Sequence, residues 1–203
     1  MRTIFSKFKR SVRLFLGKHY PKLLFSILYR IAFGKRIDWD DPRTLNEKIH
    51  WLKFNTDTSL WTLLADKYRV REYVRQRGCE DLLVNLYGVW TDSSEIDWDS
   101  LPDKFVMKSN CSSGDVRICT DKSKIDRQEW EAHFDKAMRD KLGYERGEPH
   151  YNAIEPAVIA EELLDISKQP IRTSSLIDYK IWCFNGEPHH IWACFNRRKE
   201  DVE

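Results

Sequence analysis

Residues 178–188 read DYKIWCFNGEP, and the reading of the fold starts from this stretch. Asn185 and Gly186 stand between two largely apolar runs, 178–184 and 189–195. An Asn-Gly pair readily adopts the positive φ angles of a tight turn that joins antiparallel strands. The stretch therefore predicts a β-hairpin in the last part of the sequence.

More strands are predicted upstream of this hairpin. Residues 105–108 and 116–119 are apolar runs of strand length. The tract between them, SNCSSGD at 109–115, contains only small and polar residues. Two strands joined by such a loop form a second hairpin. Residues 157–160 predict a further buried strand, which is followed by the sequence EELL at 161–164.

Helices are predicted before and between these strands. Thr44 with Glu47, and Asp126 with Glu129, have the spacing of capping boxes, in which side chains satisfy the first backbone N–H groups of a helix. Helices are also expected at about 67–77 and within the first 37 residues. Helices layered on strands predict an α+β fold. The apolar residues that share one side of a predicted helix are Leu24, Ile27, Leu28 and Ile31, then Leu45, Ile49 and Leu52, then Trp130, Phe134, Ala137, Met138 and Leu142, with Gly143 ending the last helix.

Basic residues are concentrated at the start of the sequence. Residues 1–37 hold ten Lys or Arg and no acid, so the remainder has 24 basic and 32 acidic residues. A nucleic-acid-binding domain would carry positive charge across its folded surface, so the distribution argues against that class. Apolar residues recur at helical spacing among the basic ones. This pattern fits an amphipathic helix on the anionic inner face of a membrane, or equally a helix pair packed on the body.

The cysteines and the apolar runs bear on location. Five cysteines form neither a CxxC pair nor a set at zinc-ligand spacing, which is typical of reduced thiols in a cytosolic protein. Apolar runs near the start are far shorter than the roughly 20 residues that cross a bilayer, and no signal-peptide h-region is evident. We expect a cytoplasmic location, peripheral on the inner face of the membrane where residues 1–37 attach.

Two lysines stand where an anion would bind. Lys108 ends a predicted strand and opens into the loop 109–115, whose backbone N–H groups are unobstructed by large side chains. Lys67 follows Asp66 at the start of a predicted helix, and helix N-termini attract anions. Taken alone, Lys108 fits an ordinary polar turn with a surface lysine. The order of the two lysines, the loop, the strand with its glutamates and the final hairpin favours a nucleotide phosphate site.

Several strings in the sequence resemble the successive blocks of one family: LNEKIHWLK, ADKYRVREYV, LPDKFVMKSN, DKSKID, VIAEELL and DYKIWCFNGEP. The family is the TupA-like ATP-grasp family, named for teichuronopeptide biosynthesis, and the resemblance runs from about residue 42 to 197. It implies an ATP-grasp-like fold of two α+β subdomains, the second incomplete, after an N-terminal helical region. The implied segments are a basic helical leader at 1–37, a helical segment at 38–80, a first subdomain at 81–160 and the start of the second at 161–203.

The resemblance also implies roles at the ATP phosphates. Lys67 and Lys108 would contact the phosphates. Lys108 and Arg197 would act in catalysis, with Arg197 against the transferred phosphate or an acyl phosphate. The loop covering the phosphates would contain Ser112, Ser113 and Gly114.

Other residues would hold the rest of the nucleotide. Glu161, Glu162 and Leu164 would form a hinge around adenine, with Glu162 and Leu164 acting mainly through their backbones. Asp178 and Lys180 begin the strand after this hinge, and Lys180 is counted among the nucleotide-binding residues. All of these roles are implied by the resemblance.

Two departures from the family pattern bear on ATP and metal binding. Residues 110–114 read NCSSG where the family loop is N-H-G-S-G-like, which stiffens the loop and is expected to reduce ATP affinity. The Mg²⁺ ligands of such enzymes follow the Arg197 region, where only Glu200, Asp201 and Glu203 remain. We therefore assign no metal ligand in this sequence and expect the Mg²⁺ ligands beyond residue 203, the chain being C-terminally truncated.

The function implied is that of an ATP-dependent carboxylate–amine ligase. It would act in bacterial cell-surface polysaccharide or teichuronopeptide biosynthesis through an acyl phosphate. Its partners would be ATP with Mg²⁺, a carboxylate-bearing sugar or amino acid and an amine, and no nucleic acid. Two alternatives stay open: a glycosyltransferase of the same pathway, and a non-catalytic, truncated nucleotide-binding module.

Three other patterns have simpler explanations than a functional site. His189 and His190 are neighbours on a strand and point to opposite faces, which argues against a shared metal site. Cys111 has no His that the sequence places beside it, so substitution within the loop explains it better than a nucleophile. Tryptophan faces can stack on sugars, but those with apolar neighbours are expected in the core: Trp98, Trp130, Trp182 and Trp192.

Overall fold

The computed structural model describes residues 2–112, 114–140 and 142–196. This part of the chain forms two compact units, divided between Glu161 and Glu162. Helices and strands are both present, so the α+β prediction is confirmed. The helices are α1 (Arg2–His19), α2 (Pro21–Phe33), α3 (Leu45–Asn55), α4 (Ser59–Ala65), α5 (Val70–Gln76), α6 (Arg127–Arg139) and α7 (Leu142–Arg146). The strands are β1 (Leu86–Trp90), β2 (Phe105–Ser109), β3 (Val116–Cys119), β4 (Val158–Glu162), β5 (Asp178–Phe184) and β6 (Glu187–Cys194).

The first unit is built on a four-stranded sheet in the order β1-β4-β2-β3. Strands β2 and β3 pair antiparallel, which confirms the predicted hairpin around the loop 110–115. Helix α6 packs on one face of this sheet. Phe105 and Met107 of β2 form one core cluster with Trp130 and Phe134 of α6, and the ring centroids of Phe105 and Trp130 lie 5.9 Å apart.

The sheet face opposite α6 carries charged residues. Because side chains alternate along a strand, Lys108 points away from the face that carries Met107. On β4, Glu161 contacts the Lys108 side chain, so these two residues share the face opposite α6. The apolar core under α6 therefore fixes the strands whose other face carries the charged residues.

The N-terminal helices bury aromatic residues. Leu24, Phe25 and Tyr29 of α2 are buried, and Phe25 packs with Ile37 and Phe54. Several other residues on the predicted apolar sides of α2 and α3 lie exposed, because aromatic contacts between the two helices decide the packing. These exposed residues are Ile27, Ile31, Leu45, Ile49 and Leu52.

The predicted end of the long helix after β3 was also wrong. Helix α6 ends at Arg139, and Gly143 lies inside the separate helix α7. A Cβ atom at Gly143 would come within 2.6 Å of the backbone oxygen of Glu148 and of Asn152 Oδ1. This glycine is therefore required for close packing rather than for stopping a helix.

The second unit contains the hairpin predicted from Asn185 and Gly186. Strands β5 and β6 pair antiparallel, and both turn residues have positive φ, 52° and 85°. The expected burial of its tryptophans was wrong, since Trp182 and Trp192 are exposed within the described chain, whereas Trp98 and Trp130 are in the core of the first unit. The apolar pattern identified the strands correctly but did not show which of their side chains are buried.

The predicted capping box at the start of α3 is present and extends into a small network. Thr44 Oγ1 accepts from the Glu47 backbone N–H, and Glu47 Oε2 accepts from the Thr44 backbone N–H at 3.0 Å. The other carboxylate oxygen of Glu47 accepts from Lys35 Nζ at 3.1 Å and from the Tyr29 hydroxyl at 3.2 Å. The network joins α2, the following loop and α3.

This network has a consequence for acid stability. The hydrogen bond from the Thr44 backbone, and then the one from Lys35, lower the pKa of Glu47 from 4.5 to about 2. Because the folded pKa lies below the unfolded one, the contribution is complete above pH 4.5 and is lost as the pH falls towards 2. Carbon-13 NMR of the Glu47 carboxyl group should give a midpoint near the lower value. A midpoint at or above 4.5 would contradict the network.

Candidate functional site

The Asp66-Lys67 pair forms the turn that starts α5. Asp66 Oδ1 accepts from the backbone N–H groups of Tyr68 at 2.9 Å and Arg69 at 3.1 Å. Both N–H groups belong to the turn that precedes α5. Asp66 is almost completely buried, so it fixes where the backbone of Lys67 lies.

Asn110 connects this turn to two other segments of the first unit. Its Nδ2 donates to Asp66 Oδ1 at 3.0 Å and to the Glu155 carbonyl at 2.9 Å, and its Oδ1 accepts from the Ala157 N–H at 2.8 Å. The Asn110 carbonyl accepts from the Lys67 N–H at 3.2 Å. The buried amide therefore ties together the turn at Asp66, the end of β2 and the segment that enters β4.

The structure brings Lys67 and Lys108 to the same loop. Lys67 Nζ donates to the carbonyls of Asn110 at 3.2 Å and Ser112 at 2.5 Å. Burial lowers the pKa of Lys67, and the positive charge of Lys108 lowers it further. Lys67 therefore reaches the loop that directly follows Lys108 on β2.

Lys108 is held by a buried group of charges. Glu161 Oε2 contacts Lys108 Nζ, and Glu161 Oε1 accepts from Arg71 Nη1 at 3.3 Å. Arg71 also donates through Nη2 to the Val84 carbonyl at 2.6 Å. The side chains of Arg71 and Glu161 are buried, whereas that of Lys108 is partly exposed. Glu161 thus positions the Lys108 ammonium on the sheet face opposite α6.

The loop after β2 has donors that suit an anion. Ser112 Oγ is buried and has no hydrogen-bond partner in the described part of the chain, and buried polar atoms normally have one. Gly114 is exposed with φ of 79°, a conformation that residues with a side chain rarely adopt. Ser113 lies outside the described residues. Asp115, which follows the loop, contacts His133 of α6 and anchors its far end.

The remaining predicted site residues lie in the second unit or beyond the described chain. Glu162 ends β4 and is half-buried, and Leu164 is exposed just after it. Lys180 lies on β5 and pairs with Asp178 at 2.6 Å. Arg197 lies outside the described residues. No geometry therefore tests the role predicted for Arg197.

Sequence reasoning assigned no role to Asp66, Arg71 or Asn110, although they position the two lysines. Asp66 stands before a helix start, which is a recognisable capping signal. Arg71 and Asn110 gave no such signal, because their partners are distant in sequence, up to 90 residues away for Arg71 and Glu161. Only the fold could reveal that these polar residues are buried.

Within the described ranges, no group of three His, Cys, Asp or Glu residues is arranged to hold a metal ion.

One family of known proteins matches most of this chain. The family model described as TupA-like ATPgrasp matches residues 47–202. Searches among curated proteins and among solved structures found no match. The matched range includes both lysines, the loop, the EELL sequence and the hairpin, and covers most of the chain. The chain therefore belongs to the TupA-like ATP-grasp family.

Proposed function

We propose that this chain binds ATP and acts as a carboxylate–amine ligase in the biosynthesis of a bacterial cell-surface polysaccharide or teichuronopeptide. The observation that carries the proposal is that Lys67 reaches the loop directly after Lys108, and that this loop contains a buried serine hydroxyl with no hydrogen-bond partner among the described residues. Membership of an ATP-grasp family supports the nucleotide as the anion. The segment boundaries at residues 37, 80 and 160 are part of the same proposal.

The site residues of the first unit each have a role in ATP binding under this proposal. Lys67 and Lys108 neutralise phosphate charge, which is the main requirement of phosphoryl transfer. Ser112 Oγ and the backbone of Gly114 donate to phosphate oxygens, together with Ser113. Glu161, whose carboxylate is occupied by Arg71 and Lys108, acts by holding Lys108 in place.

The roles of the other residues rest on the family resemblance. Glu162 and Leu164 would pair with adenine through their backbones, and Lys180 would contact the nucleotide. Arg197 would stabilise an acyl phosphate. Mg²⁺ would accompany ATP, with ligands outside the described residues.

The reaction takes place in two steps. A carboxylate oxygen of the acid attacks the γ-phosphorus of ATP, the bond to the β-phosphate oxygen breaks, and an acyl phosphate and ADP form. The amine then attacks the acyl carbon, loses a proton and expels inorganic phosphate to leave an amide. The acid is a uronic or amino acid and the amine belongs to the growing polymer or its precursor.

Oxygen-18 transfer tests this reaction directly. The chain is incubated with ATP, Mg²⁺, hydroxylamine as the amine, and either glucuronate or glutamate labelled with oxygen-18 in the carboxylate. Ligase chemistry should release ADP, form a hydroxamate and place one labelled oxygen in the phosphate. Lys108→Ala should abolish all three signals, while Lys104→Ala, at an exposed lysine before β2, should keep them. ATP-independent turnover of a UDP-sugar would instead favour a glycosyltransferase, and ATP binding without turnover a non-catalytic module.

A further inference from the structure

The first 37 residues have a charge imbalance that the nucleotide site does not use. They contain ten Lys or Arg and no acid, and the first carboxylate of the chain is Asp38. Helices α1 and α2 account for nearly all of this segment. Arg10 and Lys35 pair with carboxylates of the body, but most of the basic residues lie exposed on the two helices.

Helix α1 packs on the body through the side that carries Gly17. Gly17 is buried so close to Tyr144 that an added Cβ would lie 1.7 Å from the Tyr144 backbone oxygen. Arg10, seven residues earlier and therefore on the same side, pairs with Asp140 and with Glu145. This side is small and charged, and it faces α7.

The opposite side of α1 is apolar and exposed. At 100° per residue, Phe8, Val12 and Phe15 lie on one side of the helix, about half a turn from Gly17. Phe8 is 65% exposed and Phe15 is 58% exposed. Lys7 and Lys18 lie on one flank of this apolar stripe, and the other flank carries Lys9 and Arg13. An apolar stripe between two basic flanks is typical of helices that lie in a membrane interface.

Helix α2 repeats the arrangement. Its buried side carries Leu24, Phe25 and Tyr29. Its other side presents Leu23 and Ile27, and Ile31, which lies closer to the side of Leu24 near the end of the helix, is 74% exposed. The aromatic residues Phe25 and Tyr29 make the contacts of α2 with α3. Both helices therefore expose apolar residues on the side that is turned away from their own packing contacts.

We propose that the exposed apolar residues of α1 and α2 form a membrane-docking surface for an anionic lipid bilayer. The surface consists of Phe8, Val12, Phe15, Leu23, Ile27 and Ile31. Charge decides between the occupants, because two copies of this chain would bring two segments of ten positive charges together, whereas anionic headgroups neutralise them. In the described part of the chain no helix meets the length and hydropathy needed to cross a membrane, so the contact is with the bilayer surface.

Vesicle cosedimentation of the full chain tests the membrane-docking surface. Binding to phosphatidylglycerol vesicles should exceed binding to phosphatidylcholine vesicles and should fall as salt is raised. Phe8→Gln with Phe15→Gln should lower the partition coefficient at least about tenfold, because two exposed aromatic side chains no longer enter the interface. Lys7→Gln with Arg13→Gln should remove the preference for the anionic lipid. The matched control, Leu60→Gln with Leu82→Gln, changes two exposed leucines elsewhere in the first unit and should bind as the parent does.

Two results would overturn the membrane-docking surface. One is equal binding to both vesicle types that none of these substitutions changes. The other is a dimer, seen by light scattering, that Phe8→Gln with Phe15→Gln dissociates while vesicle binding stays absent. Circular dichroism establishes that each variant is folded. ATP titration of the same samples keeps this result separate from the proposed function, since these substitutions leave Lys67 and Lys108 intact.

Discussion

Lys108→Ala is expected to weaken ATP binding by about 10- to 100-fold. A hydrogen bond between charged groups contributes about 1.5–3 kcal/mol, and each 1.4 kcal/mol changes a dissociation constant about tenfold. The fold should survive, because Glu161 keeps its contact with Arg71 at 3.3 Å after the ammonium group is removed. Isothermal titration with ATP measures the effect, and thermal melts establish that the variant is folded.

Two control variants separate the charge of Lys108 from its position in the chain. Lys104→Ala removes an exposed lysine from the segment before β2 and should bind ATP as the parent chain does. Lys108→Arg keeps the charge but changes the donor geometry, so it should recover part of the lost affinity. If Lys108→Ala and Lys104→Ala bound ATP equally well, Lys108 would not be a phosphate ligand.

Asn110→Ala is expected to destabilise the first unit by about 3 kcal/mol. The substitution removes three side-chain hydrogen bonds, each contributing about 1 kcal/mol, and leaves the buried Ala157 N–H without its acceptor. Asp66 would keep its bonds to Tyr68 and Arg69 but lose its link to the loop. Urea denaturation followed by tryptophan fluorescence measures the change, since Trp98 and Trp130 lie in the core of this unit.

A second asparagine gives the comparison. Asn46 is exposed on α3, and Asn46→Ala should change the free energy of unfolding by less than about 0.5 kcal/mol. A loss below 1 kcal/mol for Asn110→Ala would mean that the buried amide does not hold the three segments together. Weaker ATP binding by a folded Asn110→Ala sample would also follow, because the Asn110 side chain holds Asp66, the residue before Lys67.

Local sequence patterns predicted those parts of the fold that depend on neighbouring residues. Asn185 and Gly186 predicted the β5–β6 turn, because they readily adopt the positive φ angles that the turn needs. Thr44 and Glu47 predicted the start of α3, because each side chain accepts a hydrogen bond from the backbone N–H of the other residue. The buried faces of α2 and α3 could not be predicted this way. Phe25 and Tyr29 are buried through contacts with aromatic residues that are distant in sequence, whereas Ile27 and Ile31 are exposed.

The candidate site, too, could be predicted from the sequence only in part. The sequence singled out Lys67 at the start of a predicted helix and Lys108 at the end of a predicted strand. It could not show that Lys67 reaches the loop after Lys108, because this depends on Asn110, whose side chain bonds to residues 44 to 47 positions away. Nothing in the local sequence distinguishes Arg71 from an exposed helix residue, and only the fold brings Glu161 of β4 within 3.3 Å of it.

The most direct test of the account follows the two ammonium groups themselves. Nitrogen-15 NMR of the lysine side chains, assigned with Lys67→Arg and Lys108→Arg, reports each group as nucleotide is added. ATP should shift both signals and raise the pKa of Lys67, because bound phosphate offsets the neighbouring charge, while adenosine at the same concentration should shift neither. Signals of Lys67 and Lys108 that stay unchanged at saturating ATP would contradict the claim that both lysines bind the phosphates.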